Sequence, residues 1–457
     1  MVEIARLRDR KHCDCSCPRL TAFWPRDYSR IGIRSPPLNT DHNSTIANPP
    51  DIRESPFATL GWLALCLLGI YLLIGPQIEL HAWQVIPQTN ASLDEALQWK
   101  KGMLHVNMKY EMSHFGDKYY NVAGLAFTFI SVVVTTFNNL VGGRPDEFFP
   151  LYYIMIVAVP IPLASFWAFR RVTGSSPHAA LFTTYLIVGT SLEPVLRICK
   201  IGSLNFIDHA LAVTGMLIFA GSLLGPMRVW PAALGLMLSA WSRPMTALYA
   251  VPFLLIVWLR RKEAPIDQRP ASPRRRLSLA LAAVFLIGLV PCSISYAKYG
   301  NPFDSGFSRI YENRTDTYGK AGSEAIWGLR YIPLHLEAMT SFPRWDVRGG
   351  SLYPVTIGRH GGSPFFTSPL LLSIFVFAAH WWKDSTRRLL MLATLPVIGG
   401  HFIYHTTASF EAGYYRYALD YLPIWLLVVA PYLCTRRALP WVLACLAYSG
   451  LYFRMLG

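Results

Sequence analysis

Charge is what this sequence has least of. Only 15% of its 457 residues are Asp, Glu, Lys or Arg, where a soluble domain carries about 25%. That shortage argues against an ordinary soluble fold, which needs a charged surface. Cysteine is missing from two long polar stretches, 77–119 and 297–364, so no disulfide framework is expected there. No apolar run precedes Phe57, which excludes an ordinary N-terminal signal peptide. No internal repeat is visible, although many transporters are built from repeats.

What is present is apolar: 53% of residues are hydrophobic, with 14 Trp and 23 Tyr. The apolar residues cluster in runs such as 57–75, 277–297 and 365–382. About twenty such residues span a bilayer core, and Trp and Tyr gather at run ends as interface aromatics do. The expected fold class is therefore an all-α integral membrane protein with about ten to twelve transmembrane helices. The net charge of +15 would raise nucleic acid as a partner for a soluble protein. Here Lys and Arg concentrate in short loops between apolar runs, so the lipid bilayer is the expected partner and nucleic acid is not.

The segment 1–56 carries Arg6, Arg8, Arg10, Lys11, Arg19, Arg26, Arg30, Arg34 and Arg53. It reads as a disordered basic tail on the cytoplasmic side, ahead of a polytopic membrane domain, 57–457. Its Cys13, Cys15 and Cys17 would suit a soft metal, but no His/Cys pair follows at zinc spacing, and reduced thiols in a tail are the preferred reading. The second strong basic signal is Arg260-Arg261-Lys262 with Arg269 and Arg274-Arg275-Arg276. Together the two signals place segments 77–119 and 297–364 on one external face. Segment 229–259, interrupted at Ser242-Arg243-Pro244, reads by parity as a single crossing. That choice strands Arg170-Arg171 outside, against the charge rule.

The external segments hold the candidate chemistry. Asp94 and Glu95 are adjacent acids that could act as general base on an acceptor hydroxyl or hold a divalent metal. They could equally show their carboxylates to water from an amphipathic helix 92–104. Arg309, Arg314, Arg330, Arg344, Arg348 and Arg359 suit phosphate capture or lipid headgroups alike. Polar residues inside apolar runs are costly and therefore informative: His209 in Asp208-His209-Ala210, Arg243, and the pair Arg416 and Asp420. The last two stand four apart, as on one helix face, either lining a site or capping a span as an ion pair.

Four stretches resemble one family, in order. Gly116-Asp117-Lys118-Tyr119-Tyr120-Asn121 is similar to its entry into a second span. Asp208-His209-Ala210-Leu211-Ala212 is similar to its small-residue span with an entry His. Ala297 to Gly306, with Tyr299-Gly300-Asn301-Pro302-Phe303, resembles its loop segment. Glu411 to Pro423, with Arg416-Tyr417, resembles its Arg-Tyr segment. Gly362 to Pro369 and Ser242-Arg243-Pro244 add weaker likeness. The family is the GT-C superfamily of polyprenyl-phosphate-dependent glycosyltransferases, in the bacterial branch related to protein O-mannosyltransferases and the lipid A aminoarabinose transferase. The resemblance covers about residues 57–435 and implies a GT-C-like fold whose two external loops bear short interfacial helices. It also implies a multi-pass enzyme of the cell membrane. Such an enzyme takes a sugar from a polyprenyl-phosphate carrier and passes it to a glycan, lipid or protein acceptor on the exoplasmic side. It implies an essential acid in the first external loop, here Asp94 or Glu95, with Glu79 and Asp117 as fallbacks. Substrate contacts are expected from Asp117, Tyr119, Tyr120, His209, Arg243, Arg416 and Asp420. No cofactor is implied beyond a possible divalent metal. The competing readings are a multispan transporter or flippase and a non-catalytic membrane protein.

Overall fold

The computed structural model describes residues 55–74, 91–109, 112–140, 159–200, 206–261, 273–312, 319–348, 351–356, 362–405 and 414–455. The N-terminal tail with its three cysteines, and Glu79, lie outside the described residues, as do Arg314 and Arg359. The described chain is mostly helical. In order, the helices are α1 (Pro56–Ile74), α2 (Ala91–Trp99), α3 (Leu125–Leu140), α4 (Pro160–Thr173), α5 (Ser176–Val188), α6 (Leu192–Lys200), α7 (Ile207–Leu224), α8 (Val229–Ser242), α9 (Ala250–Leu259), α10 (Pro273–Tyr299), α11 (Ile332–Thr340), α12 (Ser385–Phe402), α13 (Leu422–Leu433) and α14 (Leu439–Met455).

Two antiparallel hairpins interrupt the helical pattern, one in each long polar segment. β1 (Ser113–Phe115) pairs with β2 (Lys118–Tyr120), and β3 (Pro343–Arg348) with β4 (Ser351–Thr356). Hydrophobic runs alone did not signal either of them.

Two described helices are long and apolar enough to cross a membrane, α7 and α10. They are used oppositely. α7 is packed on all sides, whereas α10 turns Leu279, Leu281, Phe285, Leu286 and Leu289 outward. An apolar helix exposed along its length needs an apolar solvent. The remaining apolar helices are shorter than the runs that predicted them. Run 365–382, expected as one span, is four short turns, Pro364–Thr367, Pro369–Leu372, Ser373–Val376 and Ala378–Trp381. Pro364 and Pro369 begin two of these turns, and a proline cannot donate to a continuing ladder.

α7 is the central element, and α8 lies against it more closely than ordinary side chains permit. A Cβ on Gly215 would stand 2.5 Å from the Gly235 carbonyl oxygen, and one on Gly235 would stand 2.6 Å from that of Gly215. Small residues at a crossing let helix backbones approach, and this is the main attraction available where no water drives burial.

The single-crossing expectation for 229–259 is wrong. α8 ends at Arg243, held extended (φ −134°, ψ 99°) as a residue before proline must be. A 3₁₀ turn, Pro244–Tyr249, then leads into α9, which runs back. The ends of the hairpin show this directly. The Arg228 N–H at the start of α8 donates to Ser222 O at 3.0 Å. Arg260 Nη1, just after α9, donates to Leu223 O at 2.5 Å. Both ends of the hairpin therefore meet the C-terminus of α7. Arg171 joins them, with Nε on Gly221 O at 3.0 Å and Nη2 on Pro226 O. Thus Arg171, Arg228 and Arg260 share one end of the bundle. α1 starts at that end too, since Ser176 Oγ, opening α5, donates to Thr59 Oγ1 at 3.3 Å.

Gly215→Ala should cost about 1–3 kcal/mol through overpacking, because its Cβ meets backbone that cannot rotate away. A clear fall in Tm by intrinsic fluorescence checks this, and an unchanged Tm would show the crossing to be looser than described.

A buried charge cluster at the opposite end

The other end of α7 carries a cluster of buried charged and aromatic side chains. Asp420 closes a 3₁₀ turn, Arg416–Asp420, just ahead of α13, and is fully buried. Its Oδ1 accepts from Arg243 Nε at 3.3 Å and its Oδ2 from Arg243 Nη2 at 3.3 Å. Oδ2 also lies 2.9 Å from His401 Nε2, at the end of α12. The main-chain carbonyl of Asp420 accepts from the Tyr249 hydroxyl at 3.1 Å. One carboxylate thus joins the tip of the α8–α9 hairpin, the end of α12 and the start of α13.

The expected pairing of Arg416 with Asp420 does not form. Their segment is 3₁₀ rather than α-helical, with about three residues per turn, so residues four apart no longer face each other. Arg416 instead lies 4.6 Å from the Phe206 ring centre and 5.9 Å from that of Tyr417. Its Nε has no partner among the described residues. Tyr417 is the common platform. His401 stacks on its ring at 4.8 Å with planes 5° apart, His209 stacks at 6.4 Å, and the Arg243 guanidinium sits 5.1 Å away.

Asp208 and His209 open α7 at this end. Asp208 Oδ2 accepts from the Gly124 N–H at 3.2 Å, while its Oδ1 and His209 Nδ1 have no partner among the described residues. Gly124 is required here, since a Cβ would run into the Ser242 carbonyl and Asp208. Arg243 acts electrostatically on both Asp208 and His209.

The first-loop acids are differently placed. They sit in α2, which ends at Trp99 rather than near 104, and both are buried rather than turned to water. Asp94 accepts from the N–H groups of Asn107 at 2.6 Å and Met108 at 3.0 Å, and from the side chains of Gln98 and Asn107 at 3.3 Å each. It anchors the return of its own loop. Glu95 pairs with Lys298 Nζ at 2.5 Å and accepts from Asn121 Nδ2 and Thr128 Oγ1, both at 2.8 Å. Lys298 also donates to Asn121 O at 2.8 Å. Segments 77–119 and 297–364 therefore meet directly. Tyr120 packs on Tyr299 at 5.4 Å, and Arg309 lies 4.4 Å from the Phe115 ring. Tyr119 faces His114 and Lys109, and Asp117 is exposed at the hairpin turn. These hairpin residues are not among the described contacts of the Arg243–Asp420 cluster.

Above the cluster, α11 supplies His335. Its Nε2 is 2.8 Å from Tyr404 O and its Nδ1 2.9 Å from the Tyr415 hydroxyl. A carbonyl only accepts, so Nε2 carries the hydrogen and Nδ1 accepts from Tyr415. Burial pushes the Tyr415 phenol well above its ordinary range, which keeps that hydroxyl a donor.

Asp208 and Tyr417 were legible only as parts of motifs, and His401 was not singled out at all. His401 carried the same signal as His209, a histidine at the end of an apolar run. Among the described residues no group of three or more His, Cys, Asp or Glu converges as metal ligands would.

No family model matches the sequence, and no curated protein matches it. Among solved structures the chain is similar to the crystal structure of the Archaeoglobus fulgidus oligosaccharyltransferase in the apo form. The identity is 12% and the TM-score 0.46, over 88% of this chain and 55% of that one. The chain thus spans about half the length of that protein.

Removing the shared carboxylate should be severe. Asp420→Asn leaves Arg243 partly buried without its counter-charge and should cost about 3–5 kcal/mol, the range for breaking one side of a buried pair. Thermal unfolding in detergent checks it, and a loss below about 1 kcal/mol would mean the pair behaves as an exposed one.

Proposed function

We propose that this chain is a GT-C-like membrane glycosyltransferase. In this reading it moves a sugar from a polyprenyl-phosphate carrier to an acceptor on the exoplasmic side of the cell membrane. The observation that carries the reading is the convergence of the four family-like stretches. Asn121 of the first accepts from Lys298 of the third, and Tyr120 packs on Tyr299. Gly124, just past the first stretch, donates to Asp208 of the second. His209 of the second stacks with Tyr417 of the fourth. Residues scattered over most of the chain meet at one end of the bundle.

In this reading α10 exposes its apolar face to lipid, the basic end with Arg171, Arg228 and Arg260 faces the cytoplasm, and the cluster lies at the external interface. We keep the division into a tail, 1–56, and a multi-pass domain, 57–457. In this reading the α8–α9 hairpin and the shorter apolar helices add crossings to those of the two long helices.

The chemistry needs a cation for the departing phosphate and a carboxylate for the acceptor. The acceptor oxygen attacks the anomeric carbon. The carbon–oxygen bond to phosphate breaks, and its electron pair leaves on the phosphate. Arg416 has no carboxylate partner among the described residues, and it is the group assigned to that developing charge, with Arg243 and His209 beside it. Arg243 is neutralised by Asp420, so its role is to complete the wall and hold it rigid. Asp208, with one free oxygen, is assigned to take the acceptor proton. Asp94 and Glu95 remain the competing acids from the family likeness. Their oxygens are committed to Asn107, Met108, Lys298, Asn121 and Thr128, which favours a supporting role.

Purified protein in lipid, given a labelled polyprenyl-phosphate sugar, separates an enzyme from a carrier, which would move the label across without transferring it. Arg416→Ala and Asp208→Asn should each lower turnover by about 10²–10³, the usual loss for a charge-stabilising or proton-transfer group, with Tm nearly unchanged. Glu95→Gln should chiefly lower Tm. If Glu95→Gln folds normally yet abolishes transfer while Asp208→Asn is active, the acid belongs to the first loop instead.

A further inference from the structure

The basic end of the bundle has a structure of its own that the glycosyltransferase reading does not use. Arg171 projects from α4 toward the C-terminus of α7, where its described hydrogen bonds go to the carbonyls of Gly221 and Pro226. Those bonds orient the guanidinium without neutralising it. Arg228, at the start of α8, is exposed and close enough to Arg171 to repel it. Among the described residues no carboxylate pairs with either. Arg260 and Arg261 follow α9 at the same level, Arg260 reaching Leu223 O at 2.5 Å. Like charges held together in a fold cost stability unless an anion joins them.

Aromatic rings flank these cations. Arg171 lies 5.0 Å from the Trp167 ring, and Arg261 lies 4.4 Å from that of Trp258. Trp230 and Trp258 are themselves exposed, at 62% and 49%. Tryptophan exposed beside arginine is the pairing found at the boundary between hydrocarbon and headgroups. The depth agrees. α7 has 18 residues and so extends about 27 Å, close to the roughly 30 Å of a bilayer core. With Asp208 and His209 at one interface, Gly221 to Arg228 fall at the other.

We propose that Arg171, Arg228 and Arg261, with Trp230 and Trp258, form a binding site for the phosphate headgroup of an anionic phospholipid. The anion bridges α4 and the α8–α9 hairpin from the leaflet opposite the charge cluster. It relieves the repulsion between Arg171 and Arg228, and the tryptophans hold the glycerol and upper chain. Bound lipid would thereby brace the same hairpin whose far tip presents Arg243.

The test uses the full-length protein in nanodiscs of phosphatidylcholine alone and of phosphatidylcholine mixed with phosphatidylglycerol. Tm is read in both, and retained lipid is read by native mass spectrometry after mild detergent extraction. Wild type should be more stable by several degrees with the anionic lipid and should retain it several-fold over phosphatidylcholine. High salt should reduce the preference, because the site is partly exposed. Arg228→Gln and Arg261→Gln, both at the surface, should fold yet lose most of it, while Arg228→Lys should keep most of it. Equal retention of the two lipids by wild type would overturn the proposal, as would an unchanged preference in the Arg228→Gln, Arg261→Gln double variant. Inorganic phosphate in place of lipid should give no stabilisation. If it matches the lipid, the site takes free anions and the lipid assignment fails. None of these outcomes depends on sugar transfer.

Discussion

A buried carboxylate is tolerated only when its charge is met, and Asp420 meets its own by drawing three parts of the chain together. Arg243 comes from the break between α8 and α9, His401 from the end of α12, and Tyr249 fixes the Asp420 backbone from the turn that follows Arg243. None of these groups could stay buried alone without a cost of several kcal/mol. With Asp420 paired to Arg243, Arg416 has no carboxylate partner among the described residues and is held over Phe206 and Tyr417.

The same logic separates the other acids. Asp94 and Glu95 stand next to each other in α2 but point into different networks, one closing its own loop and the other fastening that loop to Lys298. Glu95 Oε2 accepts two hydrogen bonds, while its Oε1 is met by the Lys298 ammonium alone. Asp208 has one oxygen held by Gly124 and the other without a hydrogen-bond partner among the described residues. Position in a loop therefore says less about chemical role than the count of satisfied oxygens.

How much was readable in advance depended on whether the signal was local. His209 and Arg243 stood out because polar groups in apolar surroundings are rare and costly, and both fall in the cluster. The order of the family-like stretches anticipated which segments meet. Two local readings failed. Arg416 and Asp420 were paired by α-helical spacing, which a 3₁₀ turn does not have. Segment 229–259 was counted as one crossing by parity, although the charge at Arg170-Arg171 already objected. A run of that length fits one broken helix or two short ones equally well. Only the bonds from Arg228 and Arg260 to the end of α7 choose between them. The β-hairpins were invisible for a related reason, since short strands in polar loops leave no hydrophobic period.

Composition and charge spacing by themselves determined that this chain is unusually apolar, that it is mostly helical, and where its basic residues cluster along the sequence. Those properties add up residue by residue and need no partner. What the tertiary structure alone decided is which charges neutralise each other and which are left over. That depends on side chains more than a hundred residues apart, such as Arg243 with Asp420 or Glu95 with Lys298. Coulomb attraction in a low-dielectric interior is strong only at contact distance, and contact is set by how the helices pack.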